Sequence, residues 1–438
     1  MLKIRKITSF LVVAALMLML FFIARQSFFR NERKDTDSSL SVKPYSSYET
    51  FSKIESITDL EKIDLEEVSV KKFGAKGDGV SDDTQAILDA LDRTNSPVYF
   101  PAGTYLISKT ITIKRANSGL FGEKDGLGKP LSFIKTEDDI TMIQAEGINK
   151  IYIDSLFIHK KWIDNSVKYA ILFGNCLSVN INNTDITGFS ARGGIKLDSC
   201  SDFDVSNNYI HDFSSSFAGY LSSGDMVDSL AISVVGSQNG KINNNIIKNI
   251  EIKEPLLSAN FYQSDGICVK SGKKIEIENN DISNVGEGTD LINCKEITLK
   301  NNKYDYMHHY GIKMINGTKD CIIEGNHIKN ASGAGISLEA GFGIISGNIL
   351  SNNTITDVGS FLTTKDIWHY AGIILQGNPT GGNGVTGNII EKNTITANPE
   401  TATTFYGILE RESAKNNTIR DNIISDTINI DVVLNDLE

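Results

Sequence analysis

The sequence predicts an all-β protein, a parallel β-helix solenoid in which one coil is built again and again. Three observations lead there. A short Gly-Ile-type strand recurs, with its apolar residue at Ile171, Ile195, Ile232, Ile267, Leu291, Ile312, Ile336, Ile373 and Ile408, in steps of 24, 37, 35, 24, 21, 24, 37 and 35 residues. Of 39 Asn, 34 lie at or after Asn175, and Asn tolerates the left-handed backbone of a tight turn. Within each piece the apolar residues alternate with a period of two, which marks strands.

The first element is an expected anchor. Lys3, Arg5 and Lys6 precede an apolar run from Phe10 to Ala24, and Arg25, Arg30, Arg33 and Lys34 follow it. A spanning helix needs about 17–25 apolar residues, so this run is short for one and long for a signal-peptide core. No clear small-x-small cleavage site follows. We read residues 1–34 as a signal-anchor that holds the rest outside the cell membrane, or as an export signal if it is cleaved. Residues 35–66 read as a polar linker, with Ser38-Ser39, Ser46-Ser47 and Ser52. Residues 67–438 form the solenoid domain.

Charge narrows the partners. The net charge is -11, and residues 1–34 carry +6, which leaves -17 on the remainder. An acidic domain of this kind excludes general nucleic-acid binding, which needs a basic face. Five Cys with no Cys-x-x-Cys pair argue against a zinc ribbon or a disulfide scaffold. Oligomeric state is not legible.

The domain opens with a strand, a glycine turn, a helix and a strand. Val68 to Phe73 leads into Gly74-Ala75-Lys76-Gly77-Asp78-Gly79, then Ser81-Asp82-Asp83-Thr84. Asp82 or Ser81 is expected to cap the helix, whose apolar stripe is Ala86, Ile87, Ala90 and Leu91. Such a helix covers the open end of a solenoid. Asp78, Asp82 and Asp83 are assigned to the turn and the cap.

In the repeat, Asn pairs stand between two strands, as at Asn207-Asn208, Asn279-Asn280, Asn301-Asn302 and Asn352-Asn353. Stacked at one bend, they would form a ladder in which each side chain caps the backbone of the next rung. Cys176, Cys200 and Cys294 share one slot, ten residues before Ile186, Ile210 and Tyr304, which reads as a packed interior column. Cys268 lies between Ile267 and Val269 and should point outward. A leucine-rich horseshoe or a propeller fits less well, for want of a Leu consensus or antiparallel blades.

Residues 66–113, with Gly-Asp-Gly-x-x-Asp-Asp-Thr followed by Phe100-Pro101-Ala102-Gly103-Thr104-Tyr105, resemble the start of the pectate-lyase-like domain of rhamnogalacturonase and epimerase-type proteins. The resemblance implies a right-handed parallel β-helix that acts on polysaccharide.

The longer steps of the repeat place insertions at 212–229, 251–264, 357–370 and 396–405, all at one corner. They and the neighbouring coil are rich in aromatic and His residues. Tyr262, Tyr306, Tyr310, Trp368, His369, Tyr370 and Tyr406 are candidate sugar-stacking residues, with Lys313 as a candidate polar contact. Asp265 and Asp290 stand at successive strands with His308 and His309 after them, and these four are the candidate catalytic residues. Cleaving a glycosidic bond takes an acid for the leaving oxygen and a base or nucleophile.

Polygalacturonase-type hydrolases of this superfamily carry Asn-Thr-Asp-Gly, then paired Asp, then Gly-His-Gly, then Arg-Ile-Lys. Gln263-Ser264-Asp265-Gly266, Thr289-Asp290 and His308-His309-Tyr310-Gly311 resemble the first three, with departures at Thr289 and beside His309 and no Arg-Ile-Lys. The expected function is a polysaccharide-cleaving or modifying protein, hydrolase-like. A lyase or uronate epimerase and a non-catalytic glycan-binding or structural β-helix are the alternatives. No cofactor is required for hydrolysis. Calcium is a candidate bridge between acids and an anionic sugar, although the acidic domain favours a neutral glycan.

Overall fold

Each coil lays down three short strands, and equivalent strands of successive coils pair in parallel. The computed structural model describes residues 65–438, except 95, 165, 191, 218, 221–225, 228, 255–263, 360–368, 379, 381, 383, 399–402, 430 and 435–438. The expected anchor (1–34) and all but the last two residues of the expected linker (35–66) lie outside the described residues. Among the described residues, no helix is long and apolar enough to cross a membrane.

Three sheets of 13, 12 and 12 strands run along the solenoid. The 13-strand sheet holds the strands that follow the Asn pairs, such as Asp281–Val285 and Lys303–Met307. One 12-strand sheet holds the Gly-Ile strands, among them Ser264–Lys270, Thr289–Ile292, Ile312–Ile315 and Ile336–Glu339. The other holds the strands that precede the Asn pairs, such as Lys273–Glu278 and Lys295–Lys300. Alternation puts one set of side chains inside. Ile186, Ile210, Ile247, Ile282, Tyr304, Ile328, Ile355 and Ile395 form one buried column in register across the coils.

One expected register is corrected. Ile267 pairs with Thr289, and Thr289 pairs with Ile312, so Leu291 aligns with Val269 and not with Ile267. Thr289 therefore fills an Ile slot. Its hydroxyl is satisfied inside the core by Tyr304 Oη at 2.9 Å, and Tyr304 itself stands in an Ile column. A polar pair mimics two apolar residues, which hides the strand from a search for apolar positions.

The Asn ladder is built as the repeat implies. In Asn207-Asn208, Asn279-Asn280, Asn301-Asn302 and Asn352-Asn353 the first residue has a left-handed φ of 53–59°. The second is buried. Asn208, Asn245, Asn280, Asn302, Asn326, Asn353, Asn393 and Asn422 run in sequence, each amide donating to the next side-chain oxygen at 2.9–3.0 Å. That oxygen also accepts the backbone N–H of the preceding ladder residue, as Asn302 Oδ1 does from Asn280 at 2.9 Å. The second amide hydrogen goes to a carbonyl one coil back, as from Asn302 to Ile277 at 2.9 Å. A buried amide is tolerated only with its hydrogen bonds made, and here a bend's backbone and side-chain groups satisfy one another.

Cys176, Cys200 and Cys294 are buried thiols among five free Cys, and the slot continues through Ser237, Gly272 and Thr318. Cys200 and Cys294 receive hydroxyl partners on the next coil, Ser237 Oγ and Thr318 Oγ1, at their backbone N–H groups.

The helix Thr84–Arg93 buries Ile87, Ala90 and Leu91 in the core at the first coil. Its N-cap residue is Asp83, but the side-chain bond to the Thr84 N–H comes from Asp82, at 3.0 Å. Asp83 instead accepts from the N–H groups of Lys76 and Gly77, at 2.6 and 2.9 Å. Asp78 accepts from Ser81 and Val80, which hold its carboxyl down at about 2. All three carboxyls are committed to turn backbone, as expected.

The insertion corner is more regular than its composition suggests. Tyr209–Phe217 and Ile246–Glu254 pair in parallel as far as Phe217 and Glu254, because Phe213 and Ile250 continue the inward alternation past the coil.

Asn302→Ala removes the acceptor of Asn280 and the donor to Ile277 in the middle of the ladder. We expect a loss of about 2–4 kcal/mol in denaturant unfolding, from buried polar groups left unmade. Asn301→Gly, at a left-handed turn position, should stay within about 1 kcal/mol of the parent.

Candidate functional site

Three successive rungs of the Gly-Ile sheet carry a buried polar cluster. Gly266, Gly288 and Gly311 open successive strands. The Gly266 N–H donates to the Glu287 carbonyl at 2.9 Å and the Gly288 N–H to the Tyr310 carbonyl at 3.0 Å. The residues just before these glycines, Asp265, Glu287 and Tyr310, are thus equivalent positions on neighbouring rungs. Glycine is required at Gly288, where a Cβ would stand 2.3 Å from the Tyr304 ring and 2.5 Å from the Gly311 carbonyl oxygen. On the strands themselves, Cys268, Asp290, Lys313 and Ser337 occupy one column by register.

The two columns meet at Glu287. Its Oε1 accepts from His309 Nδ1 at 2.7 Å and from Lys313 Nζ at 2.9 Å. Asp265 and Glu287 are 0 % exposed and Asp290 is 1 %. One oxygen each from Asp265 and Asp290 lies within 4.8 Å of the other and of Cys268 Sγ. Among the described residues, Glu287 Oε2, Asp290 Oδ1 and His309 Nε2 are buried with no hydrogen-bond partner, so the cluster keeps three polar atoms uncommitted.

Burial alone would raise both acids, and their neighbours separate them. Lys313 and His309 outweigh burial at Glu287 and hold its carboxyl at about 2. At Asp290 burial dominates, Lys313 offsets part of it, and Glu287 and Glu339 add to it, so that carboxyl is pushed far above the usual range. Lys313 is raised in spite of its burial, because Glu287, Asp290 and Glu339 all face it. The cluster therefore favours the charged forms of Glu287 and Lys313 and the protonated form of Asp290. With an ionised Glu287 as acceptor, His309 donates through Nδ1.

An aromatic stack lies against this cluster. His309 stacks on Tyr310 with ring centroids 3.7 Å apart, and Tyr310 Oη is 2.6 Å from His369 Nδ1. His369 is pushed down to about 3, by burial first and then by His309, Arg411 and Lys313. It is therefore neutral.

The other expected site residues are distributed as follows. His308 turns away from His309, with Nε2 3.0 Å from Asn284 Oδ1, and burial lowers its pKa. Tyr310 and Tyr370 are buried, and Tyr406 is half-buried beside Tyr310, Ala371, Ile374 and Leu409. Tyr306 is 58 % exposed, with a left-handed φ of 59°. Tyr262 and Trp368 lie outside the described residues.

Sequence reasoning missed Glu287. The misread coil placed the strand at Asp290-Leu291, which put Asp290 before the strand and left Glu287 with no role. Its signal was Gly286-Glu287-Gly288, an acid immediately before a strand-opening glycine, as Asp265 is before Gly266.

The residues fit calcium poorly. Calcium takes six to eight oxygens, whereas the side chains close enough to share an ion are two carboxyls and a thiol, Asp265, Asp290 and Cys268, and Lys313 lies in the same column.

Glu287→Gln should lower stability by about 3–5 kcal/mol at neutral pH, because it leaves Lys313 buried without its partner. Glu287 is depressed in the fold, so its contribution is present above 4.5 and fades as pH falls toward about 2. The gap between parent and variant should close over that window in pH-dependent melting. Asp290 is raised, so it weakens the fold above its unfolded pKa. Asp290→Asn should leave the melting temperature at pH 7 unchanged or higher.

Comparison with known proteins agrees with the architecture. Residues 67–217 match the family model described as Rhamnogalacturonase A/epimerase, pectate lyase-like, and residues 230–424 match that of the right-handed beta helix region. The chain is 24% identical over 347 residues to the plasmin and fibronectin-binding protein A of Streptococcus pneumoniae, covering 68% of this chain and 43% of that protein. It is 48% identical over 58 residues to a probable glucan endo-1,3-beta-glucosidase of Arthroderma benhamiae, covering 13% of this chain and 6% of that one. It thus spans less than half of the length of either relative. Among solved structures, the Yersinia enterocolitica family 28 exopolygalacturonase superposes with a TM-score of 0.57 at 13% identity, over 83% of this chain and 78% of that one. The adhesin PfbA of Streptococcus pneumoniae gives 0.54 at 18%, over 83% and 93%. Residues 67–217 thus resemble the pectate-lyase-like family and residues 230–424 the right-handed β-helix region, in agreement with the parallel β-helix of the structure.

Proposed function

We propose that this protein cleaves glycosidic bonds in a polysaccharide, outside the cell, with Asp290 and Asp265 as the reacting carboxyls. The observation that carries the reading is one buried cluster in which the Asp290 carboxyl is pushed far above the usual range, so that it keeps its proton better than an ordinary acid, with an oxygen of Asp265 within 4.8 Å of it. Asp290 donates its proton to the leaving oxygen as the glycosidic C–O bond breaks. A water adds to the carbon left positive and gives its proton to Asp265, an oxygen of which lies within 4.8 Å of Asp290. Glu287 is a positioning residue, which takes the His309 Nδ1 hydrogen bond and holds Lys313 against Asp290. His309 Nε2, buried without a partner among the described residues, is left for a sugar hydroxyl or a water. A lyase or epimerase needs a cation for the substrate carboxylate, and Lys313, already bound to Glu287 and faced by two more acids, serves that role poorly. Presentation of the domain at the cell membrane by residues 1–34 belongs to the same reading.

A second reading has its own support. The three carboxyls are no more than 1 % exposed, and a relative along 68% of the chain is named for binding plasmin and fibronectin. On this reading the cluster is a buried polar brace, and the protein binds a surface glycan or protein without turnover.

The full chain should release products from at least one member of a panel of neutral and acidic polysaccharides. Asp290→Asn and Asp265→Asn should each lower kcat by about 10²-fold or more with the melting temperature maintained. Activity should fall as pH rises through the elevated Asp290 pKa. Binding with no product, unchanged in both variants, establishes the second reading.

A further inference from the structure

A second feature lies on the corner where the 13-strand sheet turns toward the Gly-Ile sheet, some coils nearer the N-terminus. It is a cleft of about 470 Å3, lined by Trp162, Asp212, Phe213, Ser214, Asn249 and Glu251, with Gly188 in its wall. That volume is within the roughly 300–1,000 Å3 of small-ligand sites. Glycine is required at Gly188, since its φ is 84° and a Cβ would stand 2.3 Å from the Lys160 carbonyl oxygen.

The side chains are held in place. Trp162 is 42 % exposed, and its Nε1 donates to the Ser214 carbonyl at 2.7 Å, which fixes the indole at the rim. Asp212 is held by His211 Nδ1 at 2.6 Å and Asn249 Nδ2 at 2.7 Å, and His211 Nε2 reaches Asp185 at 3.0 Å. Burial opposes ionisation of Asp212, but Asn249 and His211 outweigh it and keep its carboxyl low. Asn284 Nδ2 donates to both Asn249 Oδ1 and Glu251 Oε1, at 3.0 and 2.6 Å. His308 then meets Asn284.

These contacts form one outward track. Asp212, Asn249, Asn284 and Tyr306 are equivalent positions on four successive coils, each with a left-handed φ of 54–59°. An exposed Tyr306 stands at one end and the Trp162 cleft at the other. Three rungs of about 4.8 Å separate Asp212 from Tyr306 along the axis, about 14 Å. His308 and His309, adjacent in the chain, join this track to the Glu287 cluster.

We infer that the Trp162 cleft is a binding subsite for an uncharged sugar unit of a glycan strand laid along this track, and that it rejects uronate units. Asp212 and Glu251 accept hydrogen bonds from hydroxyls, the indole offers an apolar face to C–H groups, and none of the lining residues is basic. A uronate carboxylate placed there would meet two acids, and the nearby cationic groups, His211 and Lys248, already face Asp212, so like charges at such range cost affinity. The substrate class, but not the existence of the cleft, rests on the polysaccharide reading above.

The test is binding to the full chain, read by calorimetry, so it does not depend on turnover. The probes are the neutral tetrasaccharides laminaritetraose, nigerotetraose and cellotetraose, and tetragalacturonate as the acidic one. At least one neutral probe should bind, tetragalacturonate should bind at least 10-fold more weakly, and Trp162→Ala should weaken the neutral probe at least 10-fold. Trp162→Phe, which keeps a ring, should retain most of the affinity and controls for folding. Asp212→Asn combined with Glu251→Gln should bring tetragalacturonate to within a few-fold of the neutral probe. The inference is overturned if no neutral probe binds at millimolar concentration, if tetragalacturonate binds the parent more tightly, or if Trp162→Ala leaves affinity unchanged. Failure of the catalytic reading alone appears differently, as subsite binding that persists without products.

Discussion

The structure depends on one constraint, the hydrogen-bonded register between neighbouring coils. A single coil of this protein cannot bury its own apolar face or satisfy its own bends. The Asn ladder shows how the two needs are met together. Each ladder side chain accepts from the coil before it and donates to the coil after it, with a further bond to a carbonyl. Since every rung sets the height of the next, side chains at equivalent positions are placed about 4.8 Å apart, and columns of like residues become physical objects. The Ile columns inside, the thiol and hydroxyl slot, and the acidic cluster outside all follow from that repetition.

Repetition makes an acidic column costly, and the cluster shows how the cost is met. Asp265 and Glu287 are neighbours in one column, with Asp290 beside them. Three buried carboxyls could not all be ionised together. Lys313 and His309 stabilise the charge on Glu287, and Asp290 takes the proton. The arrangement is high in energy as a structural brace, because apolar residues would fill the same rungs at lower cost, as they do in the coils above, where Ile374 and Leu409 occupy the equivalent column. The coils below the cluster are different again, with an open polar track from Asn284 to the Trp162 cleft. Polar chemistry is thus concentrated on a few coils within a scaffold that is otherwise uniform.

Much of the fold was legible in the residues. The Ile periodicity, the Asn pairs, the Cys slot and the capping helix each follow from local rules of alternation, turn chemistry and small-residue packing. The one misplaced coil had a physical cause: Thr289 and Tyr304 fill two Ile positions by bonding each other's hydroxyls, a pairing across 15 residues that neither residue announces. That slip concealed Glu287, the residue that organises the cluster. Asp265 was found beside a strand-opening glycine, Asp290 in the Asp290-Leu291 pair of the repeat and His309 in a His pair. Trp162 was overlooked because it precedes the long insertions on which attention fell.

The sequence alone determined the coil, its three strands, its buried columns and its capped end, since these depend on contacts between residues close in the chain or related by the repeat. The tertiary structure decided which acids meet, which is protonated and which aromatic rings face outward. Those outcomes depend on the residues of neighbouring coils and on burial. Tyr310 and Tyr306 show the difference. They lie four residues apart on one aromatic stretch, yet the first is packed beneath a histidine and the second stands in solvent on a left-handed turn.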